Sequence, residues 1–285
     1  MNDHRGVATG PPPLLRGRLL GAWDALLVFA EDLPPDRLGQ LAELGSWPER
    51  PVLARLMAQA RRTGQAGGGP REPGPGPEPE RTDHSAEGGK AVLAALTEAR
   101  DLVAAALDEI EAAPARGLTV LDSALGPLPL LTQVHAMGHE LALAALRCAR
   151  TPGDVPEAVT DAGVAALVDV VGGLAHRQGL RLAAGVWGPG SAGWSFRADP
   201  DGWETRPGPA DVPGVEGAAA TVLAVPTGPT ALPSLLARGE VRLHRIGGLM
   251  ALAPLVEQVP GLPGGALLRR AVGMVGLLGR LPGVR

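Results

Sequence analysis

The hydropathy pattern changes character near Thr151, and this change constrains the fold more than any single motif. Before it, apolar residues recur at three- and four-residue steps over long runs, the signature of amphipathic helices. Beyond it, after one further helical run, short apolar segments alternate with clusters of Gly, Pro, Asp and Ser. Those are the marks of short strands joined by tight turns. A chain of 285 residues with 45% apolar side chains can fill one large domain or two of ordinary size. The pattern therefore predicts an α+β protein: a helical unit over 14–150, then a smaller mixed unit over 151–285.

Taken in order, residues 1–13 read as a disordered leader that closes on the proline run 11–13. A helix is predicted over 14–33, with Leu15, Leu19, Ala22, Leu26 and Phe29 on one face and Pro34 and Pro35 stopping it. Residues 36–43 supply a further helical turn or two. A second helix is predicted to follow Ser46 and Pro48 and to run to Arg62, with Val52, Leu53, Leu56 and Met57 inward. Residues 64–89 contain GGGP and PGPGPEPE and almost nothing apolar, so they read as a disordered loop inserted between helices. The next helix, over 90–113, is rich in Ala, Leu and Glu and carries Val92, Leu96, Leu102, Val103, Leu107 and Ile110 on a face. Four such helices must share a core, and a bundle is the economical solution.

The last bundle helix is predicted over 130–150, entered through Pro127 and Pro129. It holds two of the six histidines and the single cysteine. His135 and His139 stand one turn apart on one face, and Glu140 follows about 100° further round. After a helix over 156–179, strands are predicted at 180–187, 193–198 and 202–206. Helices follow over 215–224 and 232–238, then a strand at 240–245 and a helix over 246–258. The glycine-rich GVWGPGSAGW lacks the helix N-terminus and Lys-Ser/Thr of a phosphate loop and reads as a hairpin turn. With few other bulky groups nearby, Trp187, Trp194 and Trp203 are expected to anchor this β region.

The formal net charge of −4 gives no basic excess to attract nucleic acid. No run of about 18 consecutive apolar residues is present, so no membrane span is expected. A lone cysteine, Cys148, cannot form an internal disulfide, which suits a cytoplasmic protein. A buried structural thiol is the reading for it.

Two segments, Trp47 to Arg55 and Val134 to Ala142, resemble the DinB-like metal-binding bundle, in the branch of the mycothiol-dependent maleylpyruvate isomerases. Residues 201–204 (DGWE), 215–225 (VEGAAATVLAV) and 238–256 (RGEVRLHRIGGLMALAPLV) resemble the sterol-carrier-like α+β domain that follows the bundle in those proteins. The resemblance implies a DinB-like four-helix bundle holding a divalent metal, usually zinc, with mycothiol as thiol cofactor. It also implies a histidine ligand eight residues after the tryptophan and a Glu-x-x-x-His pair on the last helix. The chain departs at the first of these, where Arg55 stands, since a guanidinium does not ligate zinc. At the second, one register places the pair on His135 and His139. A shifted register aligns the family's Asp-Leu-Ala with Glu140-Leu141-Ala142 and leaves Met137 where a histidine belongs.

Two functions are compatible with this. In the first, His135, His139 and Glu140 surround a metal in a metal-assisted, thiol-dependent isomerase or transferase, with His84 as a further possible ligand. In the second, the protein is a non-catalytic module that binds a small molecule or a partner in the same cleft. Arg55 then faces the cleft in place of the metal's charge and holds an anionic group.

Overall fold

The computed structural model describes residues 4–5, 12–41, 88–121, 127–225, 232–252 and 255. Trp47, Arg55, His84, the helix predicted over 48–62, residues 64–87 of the predicted loop, and residues 256–285 lie outside the described residues.

The long apolar stripes become helices where the sequence places them. After a two-residue strand β1 (His4–Arg5) comes α1 (Pro12–Glu31), then α2 (Pro35–Leu38) and a 3₁₀ turn at Gly39–Leu41. Two further helices, α3 (Gly89–Ala112) and α4 (Pro114–Gly117), precede a small antiparallel ribbon of β2 (Val120–Leu121) and β3 (Leu128–Pro129). Next come α5 (Leu130–Cys148) and α6 (Glu157–Arg177). In α1 the buried residues include Leu15, Leu19, Trp23, Leu26 and Ala30, and in α3 they include Val92, Leu96, Val103, Leu107 and Ile110. The rim between these two helices carries Arg16 to Asp108 at 2.9 Å and Arg100 to Asp24 at 2.9 Å. Both pairs are solvent-facing and worth well under ~1 kcal/mol each.

The remaining strands are β4 (Leu182–Trp187), β5 (Trp194–Asp199), β6 (Gly202–Pro207), β7 (Gly214–Gly217) and β8 (Val241–His244). Helices α7 (Ala219–Ala224), α8 (Leu232–Ala237) and α9 (Ile246–Met250) flank them. With β1 they form a six-stranded sheet in the order β1-β6-β5-β4-β7-β8. The β4-β5-β6 meander is antiparallel, whereas β1 pairs with β6, and β7 with β4, in parallel. The architecture is mixed α+β, with helices and sheet sharing one continuous core.

Helix α6 joins the two layers, packing against α1 and α5 on one side and against β4, β5 and β6 on the other. Its composition explains how it does so. A Cβ on Gly163 would lie 2.5 Å from the Cβ of Ala142 on α5. A Cβ on Gly172 would lie 2.8 Å from the Trp203 ring on β6. Small residues on both faces let one helix approach two neighbours closely. By length and composition α6 is apolar enough to cross a bilayer, yet most of it is buried inside the protein. Its apolarity is that of a helix enclosed by the core.

The sequence expectation differs from the structure in three places. The spacing over 215–224 predicts one helix, but Gly214–Gly217 is a strand and only Ala219–Ala224 is helical. A Cβ on Gly214 would lie 2.3 Å from the Trp187 ring, so the glycine admits β7 to a slot beside β4. Within the expected leader, His4 and Arg5 pair with Gly202 and Trp203, and α1 begins at Pro12. Of the helix expected over 246–258, α9 occupies Ile246–Met250 and a turn follows, with residues from 256 onwards outside the described region.

Candidate functional site

Helix α5 starts where Pro129 ends β3, and the Gln133 amide donates back to the Leu128 carbonyl at 3.0 Å, fixing the entry. The three- and four-residue steps then carry Thr132, His135 and His139 along one stripe, and all three are buried. His135 is 2% exposed, and its Nδ1 lies 3.2 Å from Oδ2 of Asp169 on α6. Asp169 is fully buried, and its Oδ1 accepts from Trp203 Nε1 at 3.1 Å and Thr205 Oγ1 at 2.7 Å, both on β6. One carboxylate thus ties together α5, α6 and the sheet.

A buried carboxylate is tolerated only when polar partners compensate it, and His135, Trp203 and Thr205 are among those that do so. Which of the two side chains donates in this contact depends on the tautomer of the imidazole. The other ring nitrogen, His135 Nε2, is buried with no hydrogen-bond partner among the described residues, and Thr132 Oγ1 one turn earlier is in the same condition. A buried polar atom left unpaired costs about 1–3 kcal/mol. The stripe therefore offers bonding capacity that the fold does not use.

His139 is 8% exposed, and burial pushes its imidazole down to about 4, so the ring is neutral near pH 7. Further along α6, Asp161 Oδ1 accepts from Ser191 Oγ at 2.8 Å, the Ala192 amide at 2.8 Å and Trp194 Nε1 at 3.0 Å. The Arg18 guanidinium of α1 stacks 4.2 Å above the Trp194 ring. Burial lowers the Arg18 pKa, while the charges of Asp161 and Asp169 act in the opposite direction.

Of the residues singled out from the sequence, His135 and His139 lie together on the buried stripe of α5, and Glu140 is half-buried on its flank. Arg55 and His84 lie outside the described residues. Among the described residues, no group of three His, Cys, Asp or Glu side chains is arranged to hold a metal ion. Cys148 is fully buried among core side chains, and that burial raises its thiol to about 11. Asp169, Thr205 and Arg18 did not emerge from the sequence as site residues, and Trp203 emerged only as an anchor. Asp169 carried a readable signal: a single carboxylate inside LVDVV, an apolar run that requires a buried partner.

The sequence matches no family of known proteins, and comparison with curated proteins finds no match. Among solved structures, the mycothiol-dependent maleylpyruvate isomerase is similar at 16% identity and a TM-score of 0.46, over 78% of this chain and 91% of that one. A histidine-to-alanine variant of that enzyme gives 16% identity and a TM-score of 0.45, over 75% and 88%. Likeness at this level transfers neither residues nor activity.

Proposed function

We propose that this protein binds a small molecule at the seam between bundle and sheet, with His135 as the group that meets it. The observation carrying this reading is the His135 side chain itself. Its Nδ1 is held by a buried, fully engaged carboxylate, and its Nε2 is buried with no hydrogen-bond partner among the described residues. Structural networks normally satisfy both ring nitrogens, whereas binding sites hold one nitrogen to orient the other. The single buried cysteine is consistent with a cytoplasmic setting.

A second reading follows from the same imidazole. A ring nitrogen engaged by a carboxylate is also how metal-ligating histidines are oriented. Together with the sequence resemblance, this supports a divergent metal-assisted, thiol-dependent isomerase or transferase in which His135, His139 and Glu140 surround zinc and mycothiol is the thiol. The neutral imidazole of His139 suits zinc. A complete ligand set would need a group beyond those gathered among the described residues, so no catalytic step is derived through the metal.

The readings separate on untagged protein purified without chelator, analysed by native mass spectrometry and for metal content. Small-molecule binding predicts a bound adduct that is depleted in His135→Leu, with zinc well below one equivalent. One equivalent of zinc that disappears in His139→Ala assigns the site to the isomerase-like chemistry. Protein carrying neither overturns both.

A further inference from the structure

We infer that Asp169 is the positioning residue of this site: its Oδ2 commits His135 to a proton on Nδ1, so that Nε2 faces the ligand as a hydrogen-bond acceptor. This rests on the reading of His135 as the ligand-facing group. It adds the chemical class of the ligand, a molecule that enters the seam through an O–H, N–H or S–H donor.

The constraint originates on the sheet, away from the histidine. Trp203 Nε1 is a donor and nothing else, and it points at Oδ1 of Asp169 from 3.1 Å. The Thr205 hydroxyl donates to the same oxygen from 2.7 Å. Both groups sit on β6, and the sheet register fixes them: Ala198 pairs with Trp203 and Phe196 with Thr205 across β5. The sheet therefore determines which carboxylate oxygen it holds. The other, Oδ2, is left to face α5, where His135 Nδ1 meets it at 3.2 Å. An acceptor-only oxygen there demands Nδ1–H, and a neutral imidazole with Nδ1–H has its lone pair on Nε2. That lone pair is buried one helical turn from Thr132, with no hydrogen-bond partner among the described residues. A ligand presenting only acceptors would set lone pair against lone pair, whereas a donor completes the chain.

The same geometry predicts how a near-isosteric change behaves. In Asp169→Asn, the two donors on β6 require the amide oxygen at the Oδ1 position. The amide NH₂ is then turned towards His135, and because it can only donate, Nδ1 must accept. The proton moves to Nε2, and the site offers a donor where it offered an acceptor. A carboxylate-to-amide change beside a histidine produces this wrong tautomer in serine proteases.

Nitrogen-15 NMR of the imidazole rings, recorded across the pH range in which the protein stays folded, tests this in the full chain, metal-free and without ligand. The expected wild-type spectrum has His135 protonated on Nδ1 with Nε2 in the unprotonated range, and Asp169→Asn exchanges the two. A wild-type ring protonated on Nε2, or on both nitrogens throughout the range where the protein is folded, overturns the proposal. So does an Asp169→Asn protein whose tautomer is unchanged. Should Asp169→Asn not fold, the wild-type spectrum still decides, and Thr205→Val tests the wider chain: loosening the carboxylate is expected to mix the tautomers. This measurement can fail while the bound adduct is found, and the adduct can be missing while the tautomer is as stated.

Discussion

At the scale of single residues, Asp169 is a fully buried carboxylate on which three side chains of other elements converge. Truncating it to alanine leaves His135 Nδ1, Trp203 Nε1 and Thr205 Oγ1 without the acceptor they now share. Each buried orphan costs about 1–3 kcal/mol, so Asp169→Ala is expected to lower unfolding stability by roughly 3 kcal/mol or more. Asp169→Asn, which preserves the two bonds to β6, should lose considerably less, and urea titrations of the two variants provide the comparison. His139 makes a separate, pH-dependent contribution. Its folded pKa is lowered from 6.5 to about 4 by burial, so the unfolded chain binds the proton more tightly. Stability from this group is present above pH 6.5 and is lost as pH falls towards 4, the direction required when the unfolded state takes up more protons. Between pH 7 and pH 5 the loss is about 2 kcal/mol from this residue alone. His139→Gln should remove that part of the slope; an unchanged pH dependence of the urea midpoint would show that the buried ring does not titrate as stated.

Among elements, the contacts of α6 decide which glycines tolerate a methyl group. A Cβ at Gly163 meets the Ala142 Cβ at 2.5 Å and Leu223 Cδ1 at 3.0 Å, and α5 cannot retreat without disturbing His135. Gly163→Ala is expected to destabilise by about 1–3 kcal/mol, the usual cost of overpacking. Gly21 lies in α1, where an added Cβ would meet nothing within 4 Å, and Gly21→Ala should instead stabilise by about 0.5–1 kcal/mol. Thermal melts giving both changes the same sign would refute this account of the packing. The same elements show what a sequence discloses. α1, α3, α5 and α6 were legible because each apolar stripe is a local property of its own segment. The stripe 215–224 misled because its helical spacing is genuine over Ala219–Ala224, while β7 exists only through pairing with β4 and β8. His135 and His139 were legible from their spacing, but the partner of His135 lies 34 residues away on another helix, beyond the reach of local periodicity. The fold was therefore readable at the level of its helices and meander, and the site only by half: its imidazoles were visible, and the carboxylate that orients one of them was not.

For the whole molecule, the question is whether helices and sheet unfold together. Helix α6 is enclosed on both sides, by α1 and α5 and by β4, β5 and β6. Its buried residues Val159, Val164, Val168, Val170 and Leu174 belong to one core shared with both layers. The polar links cross the same seam, from α5 through Asp169 to β6 and from Asp161 to the β4–β5 turn and Trp194. Melting the sheet would expose one face of α6 and strand Asp169. Melting the bundle would expose the other face and strand the same residue. Neither layer can lose its partner without losing a wall of its own core, so the described structure is expected to unfold as a cooperative unit. Two probes can test this because the layers carry different reporters. In a Trp23→Phe, Trp47→Phe background the remaining tryptophans, Trp187, Trp194 and Trp203, lie on the sheet, whereas helical far-UV circular dichroism comes mainly from α1, α3, α5 and α6. Tryptophan fluorescence and circular dichroism should give coincident urea transitions, and in Asp169→Ala both should shift to the same lower midpoint. Transitions that separate, or a mutation that moves the fluorescence curve alone, would mean that the sheet unfolds while the bundle stands and that α6 does not couple them.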